Sequence, residues 1–454
     1  MFLPTEVRAC IDALENAGFA AYAVGGYVRD SLLGLTPQDY DLCTAALPED
    51  MQRLFAHRRL VLAGLKHGTV GVVTDSGVVE ITTFRAEGDY TDSRHPGWVR
   101  FVTDIAQDLS RRDFTVNAMA YSPTRGFCDP FGGREDLKNR CLRTVGDSTA
   151  RFTEDALRIL RGVRFAVRYG LTPDTQTQAA MFALCPLLDC LARERVFEEL
   201  NRLLPLVTAA DLVRFAPVLA RAIPELAPML DFDQRNPHHT HDLFTHTALV
   251  VAGVPAQPRL RWAALLHDIG KPGSLTLDDA GIAHYYGHAK LSAQMADEVL
   301  HRLKAPTALR EGVAGLIARH MTPLEADTHL LKRAMSKHGV EATLELLQLQ
   351  AADIRGTGSR EEPDWLSSRT ALIDEILTQA PCLGLKDLAI SGKNLLALGY
   401  TPGPALGRCL NDLLEQVLRG TLPNETQPLL DAALCRLQEN ADPVEEIFSG
   451  KFVK

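Results

Sequence analysis

The sequence predicts an α+β protein, with a mixed α/β segment at the N-terminal end followed by a helical remainder. Three observations carry this. At 454 residues the chain exceeds what one hydrophobic core serves, so several domains are expected. Short alternating apolar segments such as "HGTVGVVT" and "GVVEITTF" are concentrated in the first ~145 residues and read as strands of one sheet. After "DPFGGREDLKNRCLRTVGD" the glycines and β-branched runs thin out, and stretches rich in Leu, Ala, Arg and Glu continue to the end.

The elements follow in order. Residues 5 to 17 have the apolar spacing of an amphipathic helix. In "VGGYVRD" an apolar strand end meets Gly25-Gly26 and then a helix carrying Arg29. A Gly-Gly turn lets backbone amides approach phosphate oxygens with no Cβ in the way, although most such turns are only turns. Next, a strand through "DYDLCT" holds Asp39 and Asp41 on one face, because side chains at i and i+2 point the same way. Two like charges that close repel unless a cation neutralises them, and a hard divalent ion such as Mg²⁺ suits carboxylate oxygen. A phosphate cradle followed by paired carboxylates is the parts list of two-metal phosphoryl or nucleotidyl transfer. Glu80, in "GVVEITTF", is either a third carboxylate or the partner of an arginine. In "DLSRRDFTVNAMAYSP", Arg111, Arg112, Asp113 and Asn117 read either as a charged helix start capped near Asp113 or as an arginine facing triphosphate with Asn117 tying the turn.

Composition narrows the classes. A net charge of −9 leaves nucleic-acid binding to local basic patches. Nine cysteines without a CxxC pair argue against a zinc ribbon or a secreted disulfide framework. With no basic-then-apolar leader and no apolar run of membrane-spanning length, a cytoplasmic protein without a membrane partner is expected. Pro and Gly cluster near Pro217 to Pro237, in "GTGSREEPDW" and in "GYTPGPALG", marking breaks in the helical part.

The motifs "VGGYVRDSLLG…DYDLCT", "HGTV", "EITTFR", "RRDFTVNAMA" and "RFTEDALRILRGVRFAVRYG" together resemble the bacterial tRNA nucleotidyltransferase and poly(A) polymerase family, the class II branch of the polymerase-β-like superfamily. They occur in the family's order across roughly residues 20 to 205. The resemblance implies addition of C, C and A to the 3′ end of tRNA from CTP and ATP. It implies Mg²⁺ on Asp39 and Asp41, and nucleotide contacts from Gly25, Gly26, Arg29 and Arg112. It also implies base reading by "EDALRILRGVR", and four parts: a catalytic head (1–145), a helical neck (146–205), a helical body (206–365) and a tRNA-binding tail (366–454). A poly(A) polymerase and a partial enzyme adding only CC or only A are the alternatives within the family. The segment "TTFRAEGDYTDSRHPGWVRFV" resembles the flexible loop of complete CCA-adding enzymes.

Base reading also has a chemical basis. In a helix through "EDALRILRGVRF", Asp155, Arg158, Arg161 and Arg164 recur every three residues, leaving Leu157, Leu160, Val163 and Phe165 to pack. Such a stripe is commonly a solvated charged face. A carboxylate acceptor beside a guanidinium fork, however, matches the exocyclic amine and ring acceptors shared by cytosine and adenine, whereas uracil and guanine would leave groups unpaired.

A second constellation lies in the body: His246 in "DLFTHTALVV", His267-Asp268 in "LLHDIGK" and Asp353 in "LQLQAADIRG". These have the order and residue types of the HD metal-phosphohydrolase superfamily, with His288 and His320 as second-metal ligands. Imidazoles with carboxylates suit Mn²⁺, Fe²⁺, Ni²⁺ or Zn²⁺ better than Mg²⁺. The competing readings are a relic domain with satisfied helix histidines and, for the whole chain, an HD phosphohydrolase with a nucleotide-binding regulatory head. In the tail, "ISGKNLL" places Lys393 where it can meet a phosphate.

Overall fold

The computed structural model describes residues 1–37, 40–75, 77–88, 97–235, 240–358, 365–379 and 381–439. The chain divides into two compact units, residues 1–230 with 299–305, and residues 231–298 with 306–454. No helix among the described residues is long and apolar enough to cross a membrane.

The first unit opens with α1 (Thr5–Asn16), whose Val7, Cys10, Ile11 and Leu14 are buried as the apolar spacing predicts. The strands of the head are β1 (Ala21–Val24), β2 (Asp41–Thr44), β3 (Leu60–Val61), β4 (Thr69–Thr74), β5 (Gly77–Thr83), β6 (Arg85–Glu87), β7 (Val99–Phe101), β8 (Ala120–Ser122) and β9 (Gly126–Cys128). Seven of them form one sheet in the order β3-β4-β5-β2-β1-β8-β9. Its β2·β5 pair is parallel, setting Leu42 opposite Ile81 and Asp41 opposite Glu80. Leu42 and Ile81 are fully buried, so the pleat turns Asp41 and Glu80 together toward the open face. Packed on the sheet are Tyr22, Val24, Cys43, Phe84, Leu109 and Val145. The ribbon β6·β7 is separate and is the described part of the segment resembling a flexible loop.

Between β1 and β2 lies α2 (Gly26–Leu32), followed along the chain by α3 (Pro48–Leu54), α4 (Ile105–Ser110) and α5 (Gly133–Lys138). Helices then take over, with α6 (Ser148–Glu154), α7 (Leu157–Tyr169), α8 (Thr175–Leu184) and α9 (Arg193–Leu203). The expected single helix through "EDALRILRGVRF" is interrupted. Asp155 is extended, at φ −144° and ψ 102°, and its side chain accepts from the Leu157 amide at 3.1 Å. Aspartate favours this capping turn over a mid-helix place because its short carboxylate satisfies a backbone donor that the new helix leaves free. The far end of α7 closes on Gly170 at φ +60°, with the Leu171 amide reaching back to the Ala166 carbonyl at 2.8 Å, a Schellman close.

Phe114 locks α7 to the head. It is fully buried, stands edge-on to Phe165 with ring centroids 5.8 Å apart, and lies so near Gly162 that a Cβ there would meet its ring at 3.0 Å. The second unit is helical and includes Leu243–Gly253, Pro258–Leu266, Thr307–Arg319, Thr328–His338, Val340–Gly356 and Pro404–Leu418. Trp262 is the largest side chain in its core. Replacing Phe114 by Ala removes the ring that joins sheet to neck and is expected to lower stability by about 3–5 kcal/mol; chemical unfolding followed by circular dichroism measures it.

Candidate active site and metal centre

The head and α7 enclose a cavity of about 530 Å³ whose wall includes Gly25, Gly26, Arg29, Asp41, Arg112, Asp155, Arg158, Arg161 and Arg164. Every nucleotide-binding residue expected from the sequence thus lines one space. Asp39 lies outside the described residues.

The floor is the strand-to-helix turn. Gly25 has φ +63° and ψ −121°, a conformation costly for any residue with a Cβ. A Cβ there would also lie 2.8 Å from Arg112 Nη1. Backbone and guanidinium therefore approach each other only because residue 25 is glycine. Gly26 begins α2 without that constraint, and a Cβ would make only ordinary contact, at 3.5 Å from Arg29.

The walls are arginines, and each is held by a fixed acceptor. Arg29 Nη1 donates to Asn117 Oδ1 at 2.5 Å, Asn117 Nδ2 donates to Asp113 Oδ1 at 3.0 Å, and Asp113 Oδ2 accepts from Arg161 Nη2 at 2.6 Å and Nε at 2.9 Å. This chain ties α2, the turn after α4, and α7. Of the two readings of "RRDFTVN", Asn117 tying the turn matches the structure, and Asp104, not Asp113, caps α4. Fully buried Asp108 accepts from Arg111 Nη2 at 2.8 Å and pairs with Arg112 at 3.5 Å. Arg158 Nη1 donates to Glu154 at 2.5 Å and to the Arg151 carbonyl at 3.0 Å. Arg164 Nε reaches buried Glu199 at 2.6 Å. The second Asp155 oxygen accepts from Arg195 at 3.0 Å, so Asp155 and Arg158 are each held by neighbours from other positions.

Four lining residues were not singled out as site residues in the sequence: Arg111 was left open, and Phe165, Arg168 and Tyr169 were not proposed. Arg29 lies over the Tyr169 ring at 4.2 Å, and Arg164 over Phe165 at 4.8 Å, giving the wall an aromatic backing. The stripe at spacings of three and four, carried one step further, would have reached Arg168. The anchors Glu199 and Arg195 have no local signal because they come from α9. On the open sheet face, Glu80 stands beside Asp41 in the register, the place of a third carboxylate.

In the second unit, ligand atoms of His246, His267, Asp268 and Asp353 lie within 4.8 Å of one another, as do those of Asp268, His288 and His320. Asp268 joins the two groups. His267 Nδ1 lies 2.8 Å from the Ala264 carbonyl, His288 Nδ1 2.7 Å from that of Tyr285, and His320 Nδ1 2.7 Å from that of Ile317. These bonds place the proton on Nδ1 and turn each Nε2 lone pair inward, the arrangement of metal-bound imidazole. The Nε2 atoms of His288 and His320 face each other at 3.3 Å, a contact a cation would relieve. Burial would lower the His267 pKa, but Asp268 and Asp353 raise it to about 10; burial and the His267 charge push His320 down to about 4. The field thus favours positive charge among the carboxylates, and the donor set fits a transition-metal ion. Lys271, absent from the expected ligands, lies 2.7 Å from Asp268 Oδ2.

Comparison with known proteins gives the class. Residues 21–143 match the poly A polymerase head domain, residues 275–433 the tRNA nucleotidyltransferase domain 2, and residues 170–214 the "Probable RNA and SrmB- binding site of polymerase A". The fold and the arginine-lined cavity are those of a nucleotidyltransferase. The CCA-adding enzyme of Levilactobacillus brevis is 35% identical over 95% of this chain and 98% of its own, and that of Geobacillus thermodenitrificans 34% identical over 93% and 94%. The Bacillus stearothermophilus CCA-adding enzyme, solved in complex with CTP, superposes with a TM-score of 0.74 at 28% identity, covering 97% of this chain and 99% of that one. The Thermotoga maritima CCA-adding enzyme complexed with tRNA shares the fold, with a TM-score of 0.57 at 20% identity over 96% of each chain. This chain belongs to the CCA-adding enzyme family.

The network makes an acid-range prediction. Burial would raise the Asp113 pKa, but Arg161 and the bonds from Asn117 and Arg161 bring it from 3.8 to about 2. A carboxyl depressed on folding stabilises above its unfolded pKa, and the contribution is lost as pH falls through the folded one. The stability gap between wild type and Asp113→Asn is therefore expected to hold at roughly 2 kcal/mol or more near neutrality and to narrow as pH drops from 4 toward 2. Urea titrations across that range measure it.

Proposed function

We propose that this chain builds the CCA terminus of tRNA from CTP and ATP, one nucleotide at a time and without a nucleic-acid template. The observation that carries the reading is the convergence of the Gly25 turn, Asp41, Arg112 and the Asp155/Arg158 pair on one cavity, in a chain whose solved relatives hold CTP and tRNA. Neither a poly(A) polymerase nor a partial CC- or A-adding enzyme has an observation in its favour.

In this reading the 3′-hydroxyl of tRNA attacks the α-phosphorus and pyrophosphate leaves. Asp39 and Asp41, with Glu80 alongside, would hold divalent Mg²⁺, which when bound lowers the pKa of the hydroxyl and neutralises triphosphate charge. Arg29, Arg111, Arg112 and Arg161 line the cavity as donors for phosphate oxygens, fixed in place before the ligand arrives. Arg164, buried against Glu199, shapes the wall. Asp155 accepts from the exocyclic amine of cytosine or adenine, and Arg158 donates to the ring acceptors. Residues 1–145 act as head, 146–205 as the base-reading neck, and 206–365 and 366–454 as body and tail along the tRNA. Lys393 is exposed at the start of the helix Gly392–Ala397, open to a phosphate.

Base choice tests this. Arg158→Ala and Asp155→Ala are expected to shift the CTP-to-UTP ratio of kcat/KM by roughly 1–3 kcal/mol, about ten- to hundredfold, for each lost pairing. Asp41→Asn should depress all nucleotides together. Equal losses for CTP, ATP, UTP and GTP in the neck variants would defeat the base-reading role, and sequencing of the product 3′ ends reads the order of addition.

The cluster around Asp268 supports a second activity, metal-dependent hydrolysis of a phosphoester such as a phosphomonoester or a 2′,3′-cyclic phosphate. His246, His267, Asp268 and Asp353 would hold Mn²⁺, Ni²⁺ or Zn²⁺, and Lys271 lies where it can meet a phosphate oxygen. His267→Ala is expected to lower bound transition metal, measured by mass spectrometry of the metal content, and to abolish p-nitrophenyl phosphate hydrolysis while nucleotide addition to tRNA continues. Loss of addition would show that the two sites are not separate.

A further inference from the structure

A second cavity, about 560 Å³, lies within the second unit among the helices Thr307–Arg319, Thr328–His338, Val340–Gly356 and Pro404–Leu418, and shares no residue with the metal cluster. Its chemistry is divided. One side is cationic, with Arg319, Arg333 and Lys337 on the wall. The floor is apolar, with Leu346, Leu414 and Leu418 all nearly buried.

The cations are not equivalent. Arg333 is neutralised by Glu415 at 2.7 Å. Arg319 is not: its Nε is buried without a hydrogen-bond partner, and among the described residues no carboxylate lies within ion-pairing distance of Arg319 or Lys337. A desolvated guanidinium donor left unmet costs free energy that an anion would recover. The local potential is visible on a bystander: burial, then the charges of Arg319 and Lys337, hold the His338 pKa below its ordinary value. A guanidinium fork and an ammonium side by side fit phosphate, the fork matching two oxygens and the ammonium a third. The leucine floor fits a planar ring, and the volume falls in the range of small-ligand pockets.

We propose that this cavity binds a phosphate-bearing nucleotide unit, either a free mononucleotide or one nucleotide of an RNA strand, with Arg319 and Lys337 on the phosphate and the base over Leu346 and Leu414. The site is separate from the nucleotidyl-transfer cavity and from the metal centre.

Photolabelling of the full-length protein with 8-azido-AMP, followed by peptide mapping, locates the bound base. Labelling is expected in the peptides spanning 328–346 or 404–418, suppressed by excess AMP. It should fall at least tenfold in Arg319→Gln and in Lys337→Glu, the latter a surface change that keeps the fold even if the former does not. Labelling of the head peptides serves as the internal control, and its absence would count against the head assignment alone. In parallel, filter binding of tRNA lacking CCA is followed against salt. If the variants lose labelling and keep tRNA affinity, the ligand is a free nucleotide. If tRNA affinity falls and the salt slope drops by about one unit per lost contact, the phosphate belongs to RNA. If neither labelling nor tRNA binding responds to either variant, the proposal is overturned.

Discussion

A wall of arginines can stand around a cavity in a folded head only if each guanidinium has a fixed partner at its back, because an unpaired buried charge costs several kcal/mol. In this protein that constraint organises the site. Asp108 holds Arg111 and Arg112, Asp113 holds Arg161, Glu154 holds Arg158, and Glu199 holds Arg164. The carboxylates lie behind the wall, leaving a surface of oriented donors that needs little reorganisation to meet a polyphosphate. The same pairs are mechanical: Asp113–Arg161 fastens the turn after α4 to α7, and Arg164–Glu199 fastens α7 to α9. The base-reading pair is held in the same way, since Arg195 engages one oxygen of Asp155 and Glu154 one arm of Arg158.

Opposite charges are separated by the pleat of the sheet. The parallel β2·β5 pair buries Leu42 against Ile81 and turns Asp41 and Glu80 outward. Register alone therefore collects carboxylates on one face while the arginines gather on the turn and the neck. A one-residue slip would bury the carboxylates and expose the leucine, so core packing enforces the chemistry.

The helical unit solves the reverse problem, holding buried carboxylates that need a cation. Backbone carbonyls of Ala264, Tyr285 and Ile317 fix the rings of His267, His288 and His320, each taken three residues back along the chain. Local geometry thus aims each imidazole, and only the packing of several helices brings them together on Asp268.

Much was legible in the sequence because its signals are local. Alternating apolar residues marked β4 and β5, the spacing of Val7, Cys10, Ile11 and Leu14 marked α1, and the motifs pointed to Gly25, Arg29, Asp41, Arg112 and the Asp155–Arg164 stripe. Capping chemistry overruled the single neck helix: Asp155 satisfies a free amide better at a break than inside a helix, and periodicity does not register that. Tertiary structure alone decided which arginines are braced, since Glu199 and Arg195 meet α7 from α9. It decided too that Phe165 and Tyr169 back the cavity, that Glu80 flanks Asp41, and that Lys271 enters the metal cluster. Sequence determines what each residue can do within a turn or a strand; which charges face one another across 30 or more positions is set by packing, because burial makes each charge's partner obligatory and leaves its place in the chain free.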